Sequence, residues 1–296
     1  MNLRELGEDR LLAHLLPSLP TTKGVLAAAG DDCAVVESPG KKNLLLLKTD
    51  CVVEKVHFHS TTDPLLVGRK AMMRPLSDFA AMSGVPQFAL ITLVVQPRTS
   101  RNWVEKIYHG LNRAAAQFQV GIVGGETSRT PGPAVISVSV SGFVEKNRWV
   151  SRSGGKAGDA LFVTGRLGGS LRKKHLQFTP RIEESRWLTA NFRIHAMMDL
   201  SDGLGADLPR LAKASRVGFE IDLPALPRAS GASVKNAISD GEDYELLFAL
   251  GPRDSRAMRA RWEKKFPKVP LTQIGSLIPQ STIRNPQLPR GYIHFQ

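Results

Sequence analysis

Apolar and polar residues follow one another along this chain in patterns that predict strands. Residues 134–144 alternate strictly between the two classes, which is typical of a half-exposed strand in a mostly antiparallel sheet. Other strands are predicted from short apolar runs at 43–53, 87–95, 160–164, 196–200, 217–223, 244–250 and 271–278.

Helical spacing separates several of these runs. It predicts helices over 64–84, where Pro75 marks a kink or a break, over 100–119 with Ser100 as the cap, and over 203–215. The N-terminal 19 residues carry acids and predict a short amphipathic helix, not a signal peptide. Strands that alternate with helices predict an α/β or α+β fold.

The length of 296 residues predicts two domains, because single cores of about 150 residues are usual. The polar, glycine-rich segment 145–159 is the predicted boundary. We therefore expect one domain over 1–148 and a second over 149–296.

Lys and Arg total 40 against 27 Asp and Glu, and this net charge of +13 favours acidic partners such as nucleotides or phosphorylated metabolites. The densest basic segment, 166–181, has little aromatic interleaving and predicts either a solvated face or a phosphate-facing loop, not a nucleic-acid module. No apolar run approaches the roughly 20 residues of a membrane span. Cys33 and Cys51 are the two cysteines of the sequence, so we expect a reduced, cytoplasmic setting without zinc.

Acidic residues border apolar runs at five points along this basic chain. They are Asp31 with Asp32, Asp50 after Thr49, Asp78 after Ser77, Glu126 before Thr127, and Asp199 with Ser201 and Asp202. Any one of them, Asp202 or Ser201 above all, would serve as a helix cap. A carboxylate at the end of a buried segment needs a cation or hydrogen bonds, and magnesium takes oxygen ligands. If the five points converge, the sequence predicts a magnesium and nucleotide site, although it contains neither a GxxxxGK[ST] loop nor the protein-kinase motifs.

Seven motifs in order carry a resemblance to a known family. They are GDD, TD followed by VHF, LSD-x-AAM, GGET, RSG-x-K-x-GD, D-x-SDGL and GEDYEL, with a weaker match in GYIHF at 291–295. In this order they resemble thiamine-monophosphate kinase, a family of the superfamily of aminoimidazole-ribotide synthetase, selenophosphate synthetase and the hydrogenase maturation ATPases. The resemblance implies transfer of the ATP γ-phosphoryl group to thiamine monophosphate, giving thiamine diphosphate.

The same resemblance implies a fold and a set of site residues. The N-terminal α/β domain, which binds ATP and magnesium, would pair its sheet with that of a second subunit, and an αβ domain would follow. Magnesium ligands would be Asp32, Thr49, Asp50, Asp78, Glu126, Asp199 and Asp202. ATP contacts would be Tyr108, Gly125, Glu126, Arg152 and Ser201, and substrate contacts would be His57, Glu242 and Tyr292. No catalytic side chain is named, because a phosphate acceptor is already ionised at neutral pH and metal-assisted transfer needs no general base.

The sequence departs from the family at several of these positions. Glu126 replaces the usual Asp, Lys48 replaces a small residue, Arg74 and Pro75 precede LSD in place of Asn, and the 165–181 loop is short and basic. Two alternatives to the kinase interpretation follow. One is an enzyme of the same fold that acts on another small phosphorylated or carboxylated metabolite, and the other is a non-catalytic nucleotide- or metal-binding relative.

Overall fold

A computed structural model of the chain describes residues 2–38, 42–282, 288–289 and 291–292. Two β-sheets with helices packed against them form a mixed α/β fold, as the sequence predicts. In the part of the chain that the structure describes, no helix is both long enough and apolar enough to cross a membrane.

The first sheet has the strand order β1-β2-β3-β6-β4-β5. Its strands are Val25–Ala27 (β1), Ala34–Glu37 (β2), Asn43–Val53 (β3), Val85–Val95 (β4), Gly121–Arg129 (β5) and Val135–Glu145 (β6). Every neighbouring pair is antiparallel except β4 and β5, which run parallel. The mostly antiparallel sheet predicted from the alternation of 134–144 is therefore confirmed.

The second sheet has the order β8-β10-β7-β11-β9, with antiparallel neighbours throughout. Its strands are Ala160–Thr164 (β7), Ile194–Asp199 (β8), Gly218–Ile221 (β9), Leu246–Leu250 (β10) and Leu271–Ile278 (β11). The helices of the whole chain are Leu3–Leu6 (α1), Glu8–Leu15 (α2), Pro64–Ala81 (α3), Arg101–Gln117 (α4), Lys174–Gln177 (α5), Ile182–Asn191 (α6), Leu204–Ala214 (α7), Val234–Ser239 (α8) and Pro252–Lys265 (α9).

Strands β3, β7 and β11 have the predicted bounds, and Ser100 caps α4 by accepting a hydrogen bond from the backbone N–H of Trp103. Helix α3 continues through Pro75 to Ala81, so the alternative of a helix break at Pro75 is wrong. The sequence analysis did not predict β5, whose sequence is rich in glycine. This strand is an exposed sheet edge that lacks the apolar pattern on which the other strand predictions depend.

Side chains of β3 alternate between two environments. Leu44 and Leu46 are buried against α3 in the first hydrophobic core, whereas Leu47 is 42% exposed on the other face. We call that other side of the first sheet the open face; its exposed apolar side chains are Leu47, Phe88, Leu90 and Val123.

Helix α3 is the element that joins the two halves of the fold. It packs tightly on α4, since a Cβ at Gly68 would lie 2.0 Å from the Ile107 carbonyl oxygen and one at Gly110 would lie 2.0 Å from that of Leu65. Its last turn, with buried Ala81, belongs to a core cluster built around the second sheet. The C-terminal half of α3 therefore lies between the two sheets.

Candidate active site

Three buried carboxylates meet where α3 approaches the second sheet. Asp32 precedes β2, Asp78 lies in the last turn of α3, and Asp199 ends β8. One oxygen of each lies within 4.8 Å of the others. The structure thus brings together three of the acids that the sequence analysis singled out, with Asp78 inside the helix predicted over 64–84.

Burial and the charges of neighbouring carboxylates raise the pKa values of Asp78 and Asp199. Burial and the Asp32 charge raise the pKa of Asp199 to about 7, because they outweigh the hydrogen bond from Ser77 and the nearby Lys48 and Arg152 charges. The pKa of Asp78 is also well above its usual value, because burial and the neighbouring aspartates outweigh the attraction of Lys48. A cluster of this kind is stabilised by a cation among its oxygens.

Basic side chains offset part of the negative charge of this cluster. Lys48 Nζ lies 2.7 Å from Oδ1 of Asp78, and Arg152 pairs with Asp32. An Arg74 nitrogen lies 4.0 Å from Oδ1 of Asp50. Burial alone would raise the pKa of Asp50, but the Lys48 and Arg74 charges outweigh it and lower that pKa.

Some buried polar atoms of the site have no hydrogen-bond partner among the described residues. They include Oδ2 of Asp32 and the Nε atoms of Arg74 and Arg152. An unpartnered carboxylate oxygen fits a cation, and unpartnered guanidinium N–H groups fit phosphate oxygens. The donor set of hard oxygens fits magnesium.

A cavity of about 1260 Å³ opens beside the cluster. Its wall includes Asp50, Asp78, Arg152, Asp199, Ser201, Asp202 and Tyr292, all singled out from the sequence, together with Arg10, Lys48, Arg74, Arg210 and Lys213. Acidic and basic side chains that lie beside one another along this wall suit a metal-bound polyphosphate. The rest of the GYIHF match, 293–295, lies outside the described residues.

Asp202 does not cap the following helix. The N-cap of α7 is Gly203, without a side-chain cap, so the capping alternative for Asp202 and Ser201 is wrong. The Asp202 side chain pairs with Arg210, and its backbone N–H donates to Oδ2 of Asp207 at 3.0 Å. Asp202 therefore lies at the cavity wall in an ion pair.

A second polar cluster surrounds Glu242. Lys70, fully buried, places its Nζ within 2.8 Å of both Glu242 carboxylate oxygens, and Nδ1 of His175 lies 3.0 Å from Oε2. Burial alone would raise the pKa of Glu242, but His175 and Lys70 outweigh it and lower the pKa to about 2. Lys70 also donates to the carbonyl of His57 at 2.7 Å, so two predicted substrate contacts are linked by one buried lysine.

Thr49, Tyr108, Gly125 and Glu126 are among the predicted site residues that do not line the cavity within one chain. The Thr49 hydroxyl accepts a hydrogen bond from the Ser139 hydroxyl at 3.0 Å on the open face, because alternation along β3 places Thr49 on the face opposite to Asp50. Gly125 and Glu126 lie on edge strand β5, where a Cβ at Gly125 would meet the Ile91 carbonyl oxygen at 1.8 Å. Tyr108 packs partly buried against the first core. Within one chain the side chains of Thr49 and Glu126 lie on the open face, away from the cluster of Asp32, Asp78 and Asp199, and their predicted role as metal ligands stays a prediction.

The sequence analysis missed Lys70, His175, Tyr244 and Arg210 as site residues. Arg210 had a usable signal, its spacing of three residues from Asp207 on a predicted helix. Lys70 and His175 are 105 residues apart and meet only through the packing of α5 on α3, so no local pattern could have found that pair.

Comparisons with known proteins find similar sequences and a similar structure. The N-terminal domain of AIR synthase related protein matches residues 30–144, and the C-terminal domain of that family matches residues 131–253. The thiamine-monophosphate kinase of Rhodopirellula baltica is 36% identical over 92% of this chain and 89% of its own, and that of Haemophilus influenzae is 34% identical over the same shares. AaThiL complexed with AMPPCP and TMP superposes with a TM-score of 0.84 at 32% identity, covering 99% of both chains.

Proposed function

This chain belongs to the thiamine-monophosphate kinase family of AIR synthase related proteins, and we propose that it transfers the γ-phosphoryl group of ATP to thiamine monophosphate in the acidic cavity. The observation that carries the proposal is the group of three buried carboxylates within 4.8 Å, with an unpartnered Asp32 oxygen beside a cavity lined by arginines. The similar protein AaThiL is complexed with AMPPCP and TMP, which supports ATP and thiamine monophosphate as the two ligands.

Asp32, Asp50, Asp78 and Asp199 would hold magnesium, and Asp202 would join them from the cavity wall when its pairing with Arg210 opens. Bound magnesium supplies charge neutralisation and orientation of the phosphates. Arg152 would bind a phosphate oxygen through its unpartnered Nε, and Ser201 would contact the nucleotide. Because the acceptor is an ionised phosphate oxygen, no side chain is required as a general base.

We assign the thiamine end of the substrate to His57, Glu242 and Tyr292. Tyr244 and Tyr292 both lie on the cavity wall. The Tyr244 hydroxyl donates a hydrogen bond to Oε1 of Glu242 at 3.5 Å, so Tyr244 connects Glu242 to the cavity. Glu242 stays ionised beside Lys70, so it would attract the cationic thiazolium ring of thiamine.

We also propose a homodimer that buries the open face of the first sheet. Phe88 and Leu90 on β4 are each 50% exposed there, and Val123 on the neighbouring strand β5 is 61% exposed. Thr49, Gly125 and Glu126 lie on this same sheet face or its edge, so their predicted roles in metal and ATP binding would be exercised across the contact with a second copy. Tyr108 would contact ATP in the same assembly.

The domain division at about residue 148 assigns magnesium, ATP and dimer contacts mainly to 1–148. The segment 149–296 would add Arg152, Ser201, the Asp199 and Asp202 carboxylates and the substrate contact of Glu242. The cytoplasmic location expected from the two cysteines stays a prediction.

An ADP-release assay tests the proposed reaction. The purified chain is incubated with ATP, magnesium and either thiamine monophosphate or a panel of other phosphorylated and carboxylated metabolites. We expect ADP release with thiamine monophosphate, matched by thiamine diphosphate formation. Release with a different acceptor would favour the alternative enzyme, and nucleotide binding without release for any acceptor would favour the non-catalytic relative.

A further inference from the structure

Two basic side chains lie inside the group of proposed magnesium ligands. Lys48 Nζ is 2.7 Å from Oδ1 of Asp78, and an Arg74 nitrogen is 4.0 Å from Oδ1 of Asp50. The position of each side chain is fixed by the structure around it. Lys48 alternates onto the inner face of β3 beside Asp50, and Arg74 Nη1 donates to the Cys51 carbonyl at 2.9 Å.

These cations cannot move away without cost. The side chains of Lys48 and Asp78 are 21% and 9% exposed, and those of Arg74 and Asp50 are 15% and 21% exposed. Separating such a pair leaves charges in a poorly hydrated site. A divalent ion placed between Asp50 and Asp78 would have to lie about 2.0–2.1 Å from its oxygen ligands. There it would face the ammonium and the guanidinium at short range, where like charges repel strongly.

We propose that Lys48 and Arg74 act as built-in cations that take the place of one divalent ion between Asp50 and Asp78. The inference rests on the proposed magnesium site, and it adds that the chain loads one ion fewer than it would with neutral residues at positions 48 and 74. The remaining ion or ions would bind toward Asp32 and Asp199, where Oδ2 of Asp32 has no partner among the described residues.

Counting bound metal tests this directly. Mn²⁺ serves as the probe, because free Mn²⁺ is measured by electron paramagnetic resonance, and the number bound to the protein follows by comparison with the same concentration of AMPPCP without protein. The wild type, Lys48→Gln, Arg74→Gln and the double variant are titrated with Mn²⁺ in the presence of AMPPCP. We expect the double variant to bind one more ion per chain than the wild type, and Lys48→Arg to bind the wild-type number.

Lys106→Gln is the matched control, since it removes a positive charge from an exposed position on α4. An equal number of ions in the wild type and the double variant would overturn the inference, while binding of ions by both would leave the proposed magnesium site intact. Binding of no Mn²⁺ by the wild type with AMPPCP would instead overturn the magnesium site itself.

Thermal unfolding gives a second readout that does not depend on activity. Without divalent ions, Lys48→Gln should melt below the wild type, because Asp78 loses its ammonium partner. Mn²⁺ should then raise the melting temperature of Lys48→Gln more than that of the wild type, since an ion that binds only the folded chain stabilises it. An equal rise in both proteins counts against the inference. If Lys48→Gln does not fold, the metal count of Arg74→Gln decides: a wild-type count overturns the inference.

Discussion

The Ser77 hydroxyl donates a 2.6 Å hydrogen bond to Oδ2 of Asp199, and both residues are buried. Ser77 lies on α3, which packs on the first sheet, and Asp199 ends β8 of the second sheet. The contact fixes the orientation of a carboxylate at the point where the two halves of the fold meet. The acidic cluster therefore depends on the correct packing of α3 against β8, as well as on its own residues.

Replacing Asp199 with Asn should abolish most phosphoryl transfer while the fold survives. The amide keeps the shape and can still accept the hydrogen bond from Ser77, but it removes one charge from the proposed magnesium cluster. We expect turnover to fall on the order of 10²- to 10³-fold, as for other electrostatic groups at a reacting centre. ADP release measures the loss, and circular dichroism with thermal melting checks the fold.

Ser77→Ala is the companion variant, because it keeps the Asp199 charge and removes only its hydrogen bond. We expect Ser77→Ala to lose less turnover than Asp199→Asn. Its metal affinity should fall roughly 10- to 100-fold, as is usual when a group that orients a metal ligand is removed. Near-normal turnover in Asp199→Asn would show that the Asp199 carboxylate is not part of the phosphate-transfer site.

The dimer prediction is tested at Leu90, which is 50% exposed on the open face. Leu90→Asp places a charge in the centre of the proposed contact, so we expect a monomer by light scattering at micromolar concentration, with lowered turnover. Leu223→Asp is the control, because Leu223 is 38% exposed and does not belong to the open face. A monomeric wild type, or a Leu90→Asp protein that stays dimeric, would contradict the prediction.

Local sequence patterns predicted most of the strands and which acidic residues border their buried sides, because both features depend only on residues that are close together in the sequence. The alternation of β3 is the clearest case, since buried Leu44 and Leu46 place Asp50 on the inner face. By the same alternation Thr49 had to lie on the opposite face, and this consequence was available from the sequence but not drawn. The strand at Glu126 was not available, because glycines and polar residues at an exposed edge carry no period.

Contacts between distant segments were beyond the reach of the sequence. The pairing of Lys70 with Glu242 joins residues 172 positions apart, and the approach of Lys48 to Asp78 depends on how α3 crosses the sheet. Sequence departures at Lys48 and Arg74 could be identified, but their chemical partners could not. The side-chain geometry of the site therefore had to come from the structure.

Acid should weaken a link between the two halves of the fold at Glu145. Arg186 of α6 donates two hydrogen bonds to this carboxylate on β6, at 2.6 and 2.7 Å. These bonds lower the pKa of Glu145 from 4.5 to about 2. Because the folded-state pKa lies below the unfolded one, the stabilisation is fully present above pH 4.5 and disappears as the pH falls toward 2.

Urea unfolding of the wild type and Glu145→Gln at pH 7, pH 5 and pH 3 measures this effect. We expect the wild type to be the more stable at pH 7 and pH 5, and the difference to narrow at pH 3. Glu263→Gln, at an exposed position on α9, is the control and should show no such narrowing. A difference that is constant from pH 7 to pH 3 would mean that the Glu145 charge does not stabilise the fold.

The activity of Glu126 variants distinguishes an active enzyme from a non-catalytic relative. Glu126 is the register partner of Thr92 on β4, and Thr92 is the register partner of Ser137 on β6. Ser137 in turn is the register partner of Cys51 on β3. These three steps between strands place Glu126 about 14 Å along the sheet from Cys51, on the open face, and so away from Asp50 of its own chain. A role in metal binding therefore requires a second copy.

We expect Glu126→Ala to lose most activity and Glu126→Asp to retain it. Aspartate keeps the charge and the oxygen ligands, and the missing methylene can be absorbed by a small shift or an intervening water around an ion that needs near-octahedral geometry. Turnover and ATP affinity are measured for the three proteins across a magnesium titration.

A mixture of Glu126→Ala and Asp199→Asn chains, allowed to exchange subunits, should regain a minority of wild-type turnover, because one site of each mixed dimer has both carboxylates. Glu126→Ala equal to the wild type at every magnesium concentration would exclude Glu126 as a ligand. An inert wild type with an active Glu126→Asp would identify the chain as a kinase that has lost its activity.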